Sequence, residues 1–323
     1  MEISFIIVNW NTKDLLHGCL DSIAKTVGSL SHEIIVVDNA SSDGSADMLA
    51  REYPSVRLIA NAENRGFGAA NNQGFAVMKG KYALLINTDA VLTNGAVQKL
   101  WDFAEANPRT AIVCGQLLNA DGSKQNSIAA FPTLLTLASN TSLLEYFFPG
   151  KYPSKRYDHQ GPLEVDSAIG ACMMIRKKAL DAVSFFDERY FFFFEETDLA
   201  FAMKRAGWKV YQVPDALIYH LQGQSIGHNT QSRIEFYRSR YQFLRKWHGS
   251  AYYRIAAAVI FLRLVADVLL NAAGVVFTLG LSKNLRRKLT VYAQLIQWHF
   301  KERVTSEKRR ATSDEWKVES EKR

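Results

Sequence analysis

Two short stretches hold side chains whose types and spacing can do chemistry. Residues 82–86 form an apolar run of strand length that ends in Asn87-Thr88-Asp89. Oxygen-bearing side chains at the carboxyl end of a buried strand can hold a hard cation, and Mg2+ or Mn2+ needs few protein ligands when it keeps waters and substrate phosphates. The same triplet also suits a strand that closes in a polar turn. In the second stretch, four phenylalanines, Phe191 to Phe194, run straight into Glu195-Glu196-Thr197-Asp198. Apolar surroundings and like charges both raise a carboxylate pKa, which moves it toward general-base duty near neutrality. Acids at a helix start also complement the helix dipole, and Leu199, Ala202 and Met203 continue at helical spacing, so the two roles are compatible. His220 closes a later strand ahead of the polar run 222–229 and is a candidate third metal ligand, although a lone histidine also serves as a structural residue.

The elements that must position these groups follow from periodicity. Residues 3–8 are apolar and β-branched, are closed by Asn9-Trp10-Asn11, and lead into Leu15, Leu16, Cys19, Leu20 and Ile23 at helical spacing. Residues 34–37 form a second strand that ends in Asp38-Asn39-Ala40-Ser41-Ser42-Asp43-Gly44, and residues 56–59 form a third. Strands alternating with helices predict an α/β fold with a mostly parallel, right-handed crossover sheet and helices on both faces. Ligands then collect at the strand ends, where Asn9, Asp38, residues 61–66, Asn87 and Asp89 lie. Asp38 stands where a nucleoside-binding sheet places its acceptor for a ribose hydroxyl or base imide. Neither GxGxxG nor GxxxxGK[ST] is present. A different loop, Asn64-Arg65-Gly66-Phe67-Gly68-Ala69-Ala70-Asn71-Asn72, offers close backbone approach, a positive charge and a helix N-terminus for an anion, or simply a glycine-softened helix start.

Further along, a helix over 95–106, a strand over 111–118 and a hairpin turn at Asp121-Gly122 are expected. Periodicity fades over 131–162, a length of irregular chain that suits the border of a second substrate. A strand resumes over 165–175, and two short strands are expected at 210–213 and 216–219.

Charge and composition narrow the classes. At 48% hydrophobic and 22% charged, the 323 residues are globular rather than disordered. Cys19, Cys114 and Cys172 are widely spaced without a CxxC, which argues against a disulfide framework or a zinc site and for a reducing compartment. Residues 3–8 are too short for a signal-peptide core and read as a first strand. The net charge of +7 belongs to the C-terminal part: residues 231–323 carry 19 Lys and Arg against 8 Asp and Glu. A basic flank around an apolar segment suits an anionic membrane surface rather than nucleic acid. Residues 228–248 read as a basic, aromatic amphipathic helix. The apolar stretch 255–281 is broken by Arg263, Asp267, Asn271 and Thr278, which fall within about 80° of one another on a helix. Arg263 and Asp267 are spaced to pair, and helices lying in or on the membrane interface are expected rather than a clean span. Three regions result: a catalytic domain 1–227, a membrane-associated helical region 228–300, and a charged, mobile tail 301–323.

With these residues assembled, the chain resembles the inverting family 2 glycosyltransferases of the GT-A fold, and within them the rhamnosyltransferase-like branch. The resemblance covers roughly residues 1–245 and rests on six ordered motifs. They are the opening Ile-Ile-Val-Asn9-Trp-Asn, Asp38 to Ser45, Asn64 to Asn71, Asn87-Thr-Asp89, the run from Phe186 to Glu195-Glu196-Thr-Asp198, and Arg205-Ala-Gly-Trp208. It implies a GT-A (Rossmann-like) sheet with C-terminal membrane-associated helices. It also implies that Asp38 contacts the nucleoside, that Asn87 and Asp89 occupy the family's DxD position, that Glu196 is the catalytic base, and that His220 matches a histidine that binds metal in some relatives. The expected donor is a UDP- or dTDP-linked sugar, a deoxyhexose such as rhamnose, and the acceptor is lipid-linked or a cell-envelope glycan. The expected location is the cytoplasmic face of the inner (plasma) membrane, peripheral or monotopic, with the oligomeric state left open. The alternative is an inactive sugar-nucleotide-binding module of a glycan assembly complex. Three departures stand out: Asn87 replaces the first Asp, Glu196 stands where Asp is frequent, and Ser184-Phe185 replaces the small, glycine-containing lead into the Phe-Asp-Glu motif.

Overall fold

A computed structural model describes residues 1–153, 157, 159–221 and 230–320, with backbone only for Thr141 and for 302–320. The polar run 222–229, residues 321–323 and the side chains of the expected charged tail lie outside the described residues. The elements in chain order are β1 (Ile3–Asn9), α1 (Lys13–Thr26), β2 (His32–Asp38), α2 (Ser45–Glu52), β3 (Arg57–Ala60), α3 (Phe67–Val77), β4 (Tyr82–Ile86), β5 (Ala90–Leu92), α4 (Ala96–Ala106), β6 (Thr110–Leu118) and β7 (Ile128–Ala129). They continue with α5 (Leu134–Ala138), α6 (Thr141–Phe147), β8 (Leu163–Glu164), β9 (Ser167–Ala168), β10 (Cys172–Arg176), α7 (Lys177–Val183), α8 (Glu195–Arg205), β11 (Lys209–His220), α9 (Thr230–Trp247), α10 (Ser250–Phe277) and α11 (Lys283–Ser320).

The chain divides into two units, one of residues 1–132 and 139–227, the other of 133–138 and 228–323. In the first, the sheet order is β3-β2-β1-β4-β10-β6-β11-β5, with β8 against β11. The pairs β1/β2, β1/β4, β2/β3 and β6/β11 are parallel, whereas β10 and β5 run antiparallel to their neighbours. Alternating side chains feed two apolar layers. On one face Phe5, Ile7, Val36 and Leu84 pack with Leu16, Leu20, Leu49 and Leu100 of α1, α2 and α4. On the other, Ile6, Ile35, Leu85 and Met173 pack with Phe75, Leu180, Leu199 and Met203 of α3, α7 and α8. Helices therefore cover both faces, and the polar strand ends stay at one edge.

Two sequence expectations differ from the structure. Residues 165–175 are not one strand: β9 joins β7 in a separate small sheet, the chain turns at Gly170-Ala171, and only β10 enters the main sheet. Apolar continuity alone could not reveal that corner. Conversely, 210–213 and 216–219 belong to the single strand β11, whose pairing with β6 shifts register between Gln212 and Leu217. Pro214 has no N–H to give the ladder, and a bulge absorbs it. Gly115 on β6 makes room for the bulge, since a Cβ there would sit 2.1 Å from the Ala216 carbonyl oxygen. The bulge matters because the far end of β11 carries His220 beside β5.

The second unit is helical, with Leu137, Tyr241, Leu244, Ala256, Ala257, Ile260, Leu264 and Leu295 in its core. Arg263 Nη1 donates to the Leu137 carbonyl at 2.9 Å, and Asn271 Nδ2 donates to the Asp267 carbonyl at 2.7 Å. Beyond Leu264 no residue of α10 is buried, and Leu269, Leu270, Val276 and Phe277 are 64–91% exposed. By length and composition α10 could cross a membrane.

Candidate active site

One end of the candidate site is built from β1 and β2. Register pairs Asn9 with Asp38 at the ends of these parallel strands. Asn9 Nδ2 donates to Asp38 Oδ1 at 2.7 Å and to Ser41 Oγ at 3.1 Å, and the Ser41 N–H donates to Asp38 Oδ2 at 2.9 Å. Asp38 Oδ1 thus ties the end of β1 and Oδ2 the loop after β2, leaving their remaining lone pairs for a ligand. Asn39, which sequence reasoning did not single out, reaches the next loop, donating to the Gly66 carbonyl at 3.2 Å.

A second part of the candidate site is the start of α3. Asn64 Oδ1 accepts the Gly66 N–H at 2.9 Å, forming a turn ahead of the helix, and the Phe67 N–H donates to the Phe191 carbonyl at 3.3 Å. Gly66 has φ +84°, and a Cβ there would lie 2.6 Å from the Phe191 carbonyl oxygen, so only glycine fits. Arg65 is 3.8 Å from Glu188, with both side chains about half exposed. An exposed pair of this kind is weak enough to exchange for a phosphate. Asn71 is buried within α3, and its Nδ2 donates back to the Phe67 carbonyl at 2.9 Å.

At the end of β4, Asp89 is 1% exposed and its Oδ1 lies 3.3 Å from His220 Nε2. The antiparallel pairing of Ala90 with His220 produces this meeting, and the Leu221 N–H donates to the Asp89 carbonyl at 2.8 Å. Two ligands of one octahedral Mg2+ on adjacent positions are about 3 Å apart, so the pair fits a small divalent cation. Among the described residues no three His, Cys, Asp or Glu side chains form a metal cluster. A cation here would therefore take Asp89 and His220, with Asn87 at the partly exposed end of the strand, and draw its other ligands from water and phosphate. Thr12 spends its one hydroxyl proton on Asn9 Oδ1 at 2.8 Å, so Thr88 ties this turn to the end of β1 by donating its own hydroxyl to Thr12 Oγ1 at 2.9 Å.

The carboxylate cluster sits at the start of α8. Phe193 and Phe194 both have positive φ, 68° and 73°, a strained entry that turns the chain sharply before the helix. Asp198 accepts the Tyr190 hydroxyl at 3.2 Å. Glu195 is buried, and burial together with the charge of Glu196 pushes its pKa well above the usual carboxylate range. Burial pushes Glu196 up to about 7, against the opposing pull of the N–H groups of Glu196, Thr197 and Gly170. Among the described residues, Oε2 of each glutamate has no hydrogen-bond partner. The start of α3 packs here as well: a Cβ on Gly68 would lie 3.7 Å from that of Glu195.

Gly170-Ala171 joins the two halves. The Ala171 carbonyl accepts the Asn87 N–H at 2.9 Å, while the Gly170 N–H points at Glu196. Sequence reading missed this corner, together with the Thr12–Thr88 link and the buried Gln125 behind His220. A glycine interrupting a strand pattern was the one signal available.

Comparisons with known proteins agree with this geometry. The sequence pattern described as "Glycosyl transferase family 2" matches residues 4–184. The chain is 30% identical over 232 residues to N-acetylglucosaminyl-diphospho-decaprenol L-rhamnosyltransferase of Mycobacterium tuberculosis, covering 67% of this chain and 75% of that protein. Among solved structures, S. aureus TarS 1–349 in complex with UDP superimposes with a TM-score of 0.51 at 15% identity, covering 80% of this chain and 71% of that one. GalNAc-T7 with UDP, GalNAc and Mn2+ superimposes with a TM-score of 0.53 at 15% identity, covering 74% and 47%. These two share the GT-A fold with the present chain. The strand-end clusters, the sheet and the sequence match lead to one conclusion: the chain belongs to glycosyl transferase family 2.

Proposed function

We propose that this glycosyltransferase moves a deoxyhexose, L-rhamnose above all, from a UDP- or dTDP-linked donor to a lipid-linked glycan at the cytoplasmic face of the membrane. The observation that carries the reading is Glu196: a carboxylate with a pKa raised to about 7 and an Oε2 with no hydrogen-bond partner among the described residues, at a helix start packed against the glycine-rich loop. The named activity of the mycobacterial relative supports the choice of sugar and acceptor.

In this reading Asp38 and Asn9 hold the nucleoside, and Arg65 with the N-terminus of α3 receives the diphosphate. Glu196 takes the proton from the acceptor hydroxyl as its oxygen attacks the anomeric carbon. The bond from that carbon to the diphosphate breaks on the opposite side, so the configuration inverts. Glu195 keeps its proton, and Asp198 holds the loop through Tyr190. When bound by Asp89, His220 and Asn87, Mg2+ or Mn2+ supplies charge neutralisation for the departing diphosphate. The exposed apolar side of α10, with Lys283, Arg286, Arg287 and Lys288 following it, supports attachment to an anionic leaflet.

The test is a donor panel. Purified full chain is incubated with UDP-, dTDP- and GDP-sugars plus Mn2+ and a prenyl-diphosphate-linked acceptor, and nucleoside diphosphate release and product configuration are measured. Turnover with an inverted deoxyhexosyl product is expected. Turnover only with another sugar class would overturn the rhamnose assignment, and no transfer from any donor would overturn the catalytic one.

A further inference from the structure

We propose that Gln125 is a positioning residue of the candidate metal pair: its side chain holds His220 in the tautomer that turns the Nε2 lone pair toward Asp89. The inference rests on the reading of Asp89 and His220 as ligands of one divalent cation.

The root of the Gln125 side chain is fixed on both sides. Its backbone N–H donates to the Leu117 carbonyl at 2.7 Å, and its own carbonyl accepts Gln116 Nε2 at 2.9 Å. The amide group is oriented by chemistry. Gln125 Nε2 faces two backbone carbonyl oxygens, of His220 at 2.5 Å and of Leu118 at 3.4 Å. Carbonyl oxygens only accept, so the amide nitrogen must be the atom on that side, and Oε1 is left toward His220 Nδ1 at 3.0 Å. An amide oxygen carries no proton. The hydrogen in that bond therefore belongs to Nδ1, and the neutral ring keeps Nε2 bare.

That bare nitrogen is the atom 3.3 Å from Asp89 Oδ1. Two electron-pair donors facing each other at this distance attract only when a cation lies between them. The opposite tautomer would place an N–H on Nε2, which would donate to Asp89 and close the pair as an ordinary hydrogen bond. Gln125 is 5% exposed and His220 8%, so water is poorly placed to take over the amide's role. The residue thus does for His220 what an outer partner does for a metal-bound imidazole: it sets the tautomer and the ring's rotation together. It reaches the site from the chain after β6, whereas His220 comes from β11 and Asp89 from the turn after β4.

The experiment uses the full chain labelled with 15N-histidine, with Mn2+ alone as the metal probe. The His220 ring signals are identified by their absence in His220→Ala. In the metal-free wild type at about pH 8, where an ordinary imidazole is neutral, the Nδ1–H tautomer is expected. In Gln125→Met, which keeps the volume and removes the side-chain amide's three hydrogen bonds, a mixture of tautomers is expected. Mn2+ affinity, read by electron paramagnetic resonance, should fall about 10- to 100-fold in that variant, with circular dichroism unchanged. Wild-type Mn2+ affinity in Gln125→Met, with the affinity lost in His220→Ala, would overturn the role of Gln125 while the metal reading stood. Wild-type affinity in His220→Ala would remove the metal reading and the inference with it. Should Gln125→Met fail to fold, the wild-type ring spectrum decides alone, because an Nε2–H tautomer there overturns the proposal.

Discussion

Tyr190 donates its hydroxyl to Asp198 Oδ1 at 3.2 Å, and this bond separates the roles of three neighbouring carboxylates. Both residues are buried, and burial followed by the charge of Asp198 pushes the Tyr190 pKa up, so the phenol keeps its proton. Asp198 is therefore occupied in fastening the phenylalanine-rich loop to α8, and Glu195 is buried under α3. Glu196→Gln should lower turnover by about 10² to 10⁴ while sugar-nucleotide binding, measured by calorimetry, stays near wild type. Glu195→Gln imitates a carboxyl that already holds its proton and should cost far less. Equal losses in the two variants would cancel the assignment.

The pH dependence follows from the raised pKa of Glu196. The base must be ionised to accept a proton, so kcat/KM should rise with pH through a limb near 7, and Glu196→Gln should lack that limb. For stability the sign is opposite. A carboxyl whose folded pKa lies above its unfolded value of about 4.5 binds its proton more tightly when folded, so stability is lost as pH rises through roughly 4.5 to 7. Thermal unfolding of Glu196→Gln should be less sensitive to pH across that window than that of the wild type.

Asp89→Ala should abolish both turnover and any metal-dependent gain in donor binding, with the circular dichroism spectrum retained. Turnover that kept its metal dependence would exclude Asp89 from the site.

Gly66→Ala tests the loop between the proposed diphosphate site and the base helix. The positive φ and the 2.6 Å approach to the Phe191 carbonyl oxygen allow no Cβ, so a loss of about 1–3 kcal/mol in stability is expected, together with weaker donor binding. Denaturant unfolding and calorimetry measure the two effects separately.

Membrane attachment predicts that the full chain floats with anionic vesicles, less so at high salt, and poorly with neutral ones. Replacing Leu269, Leu270 and Phe277 with Glu should abolish flotation, since each apolar side chain transferred to lipid contributes about 1.5 kcal/mol or more. Unchanged flotation would move the contact surface elsewhere.

How much of this was legible without coordinates depends on the range of each interaction. Strand ends such as Asn9, Asp38 and Asp89 could be read directly, because an apolar run stopping at a polar residue is a local pattern and a parallel sheet gathers its carboxyl ends at one edge. The helix carrying Glu196 could be read for the same reason, from its spacing and its acidic first turn. The meeting of Asp89 with His220 could not, because it depends on a bulge in β11 and on the register of β5, which no local pattern encodes. Nor could the corner at Gly170-Ala171, where an unbroken apolar stretch divides between two sheets. The positive φ of Phe193 and Phe194 runs against the preference of those residues, so no local propensity could foretell it. Residue types and spacing thus determined which groups could do chemistry and on what elements they lie. The tertiary structure decided which of them are neighbours and how deeply each is buried, because both depend on contacts between segments far apart in the chain.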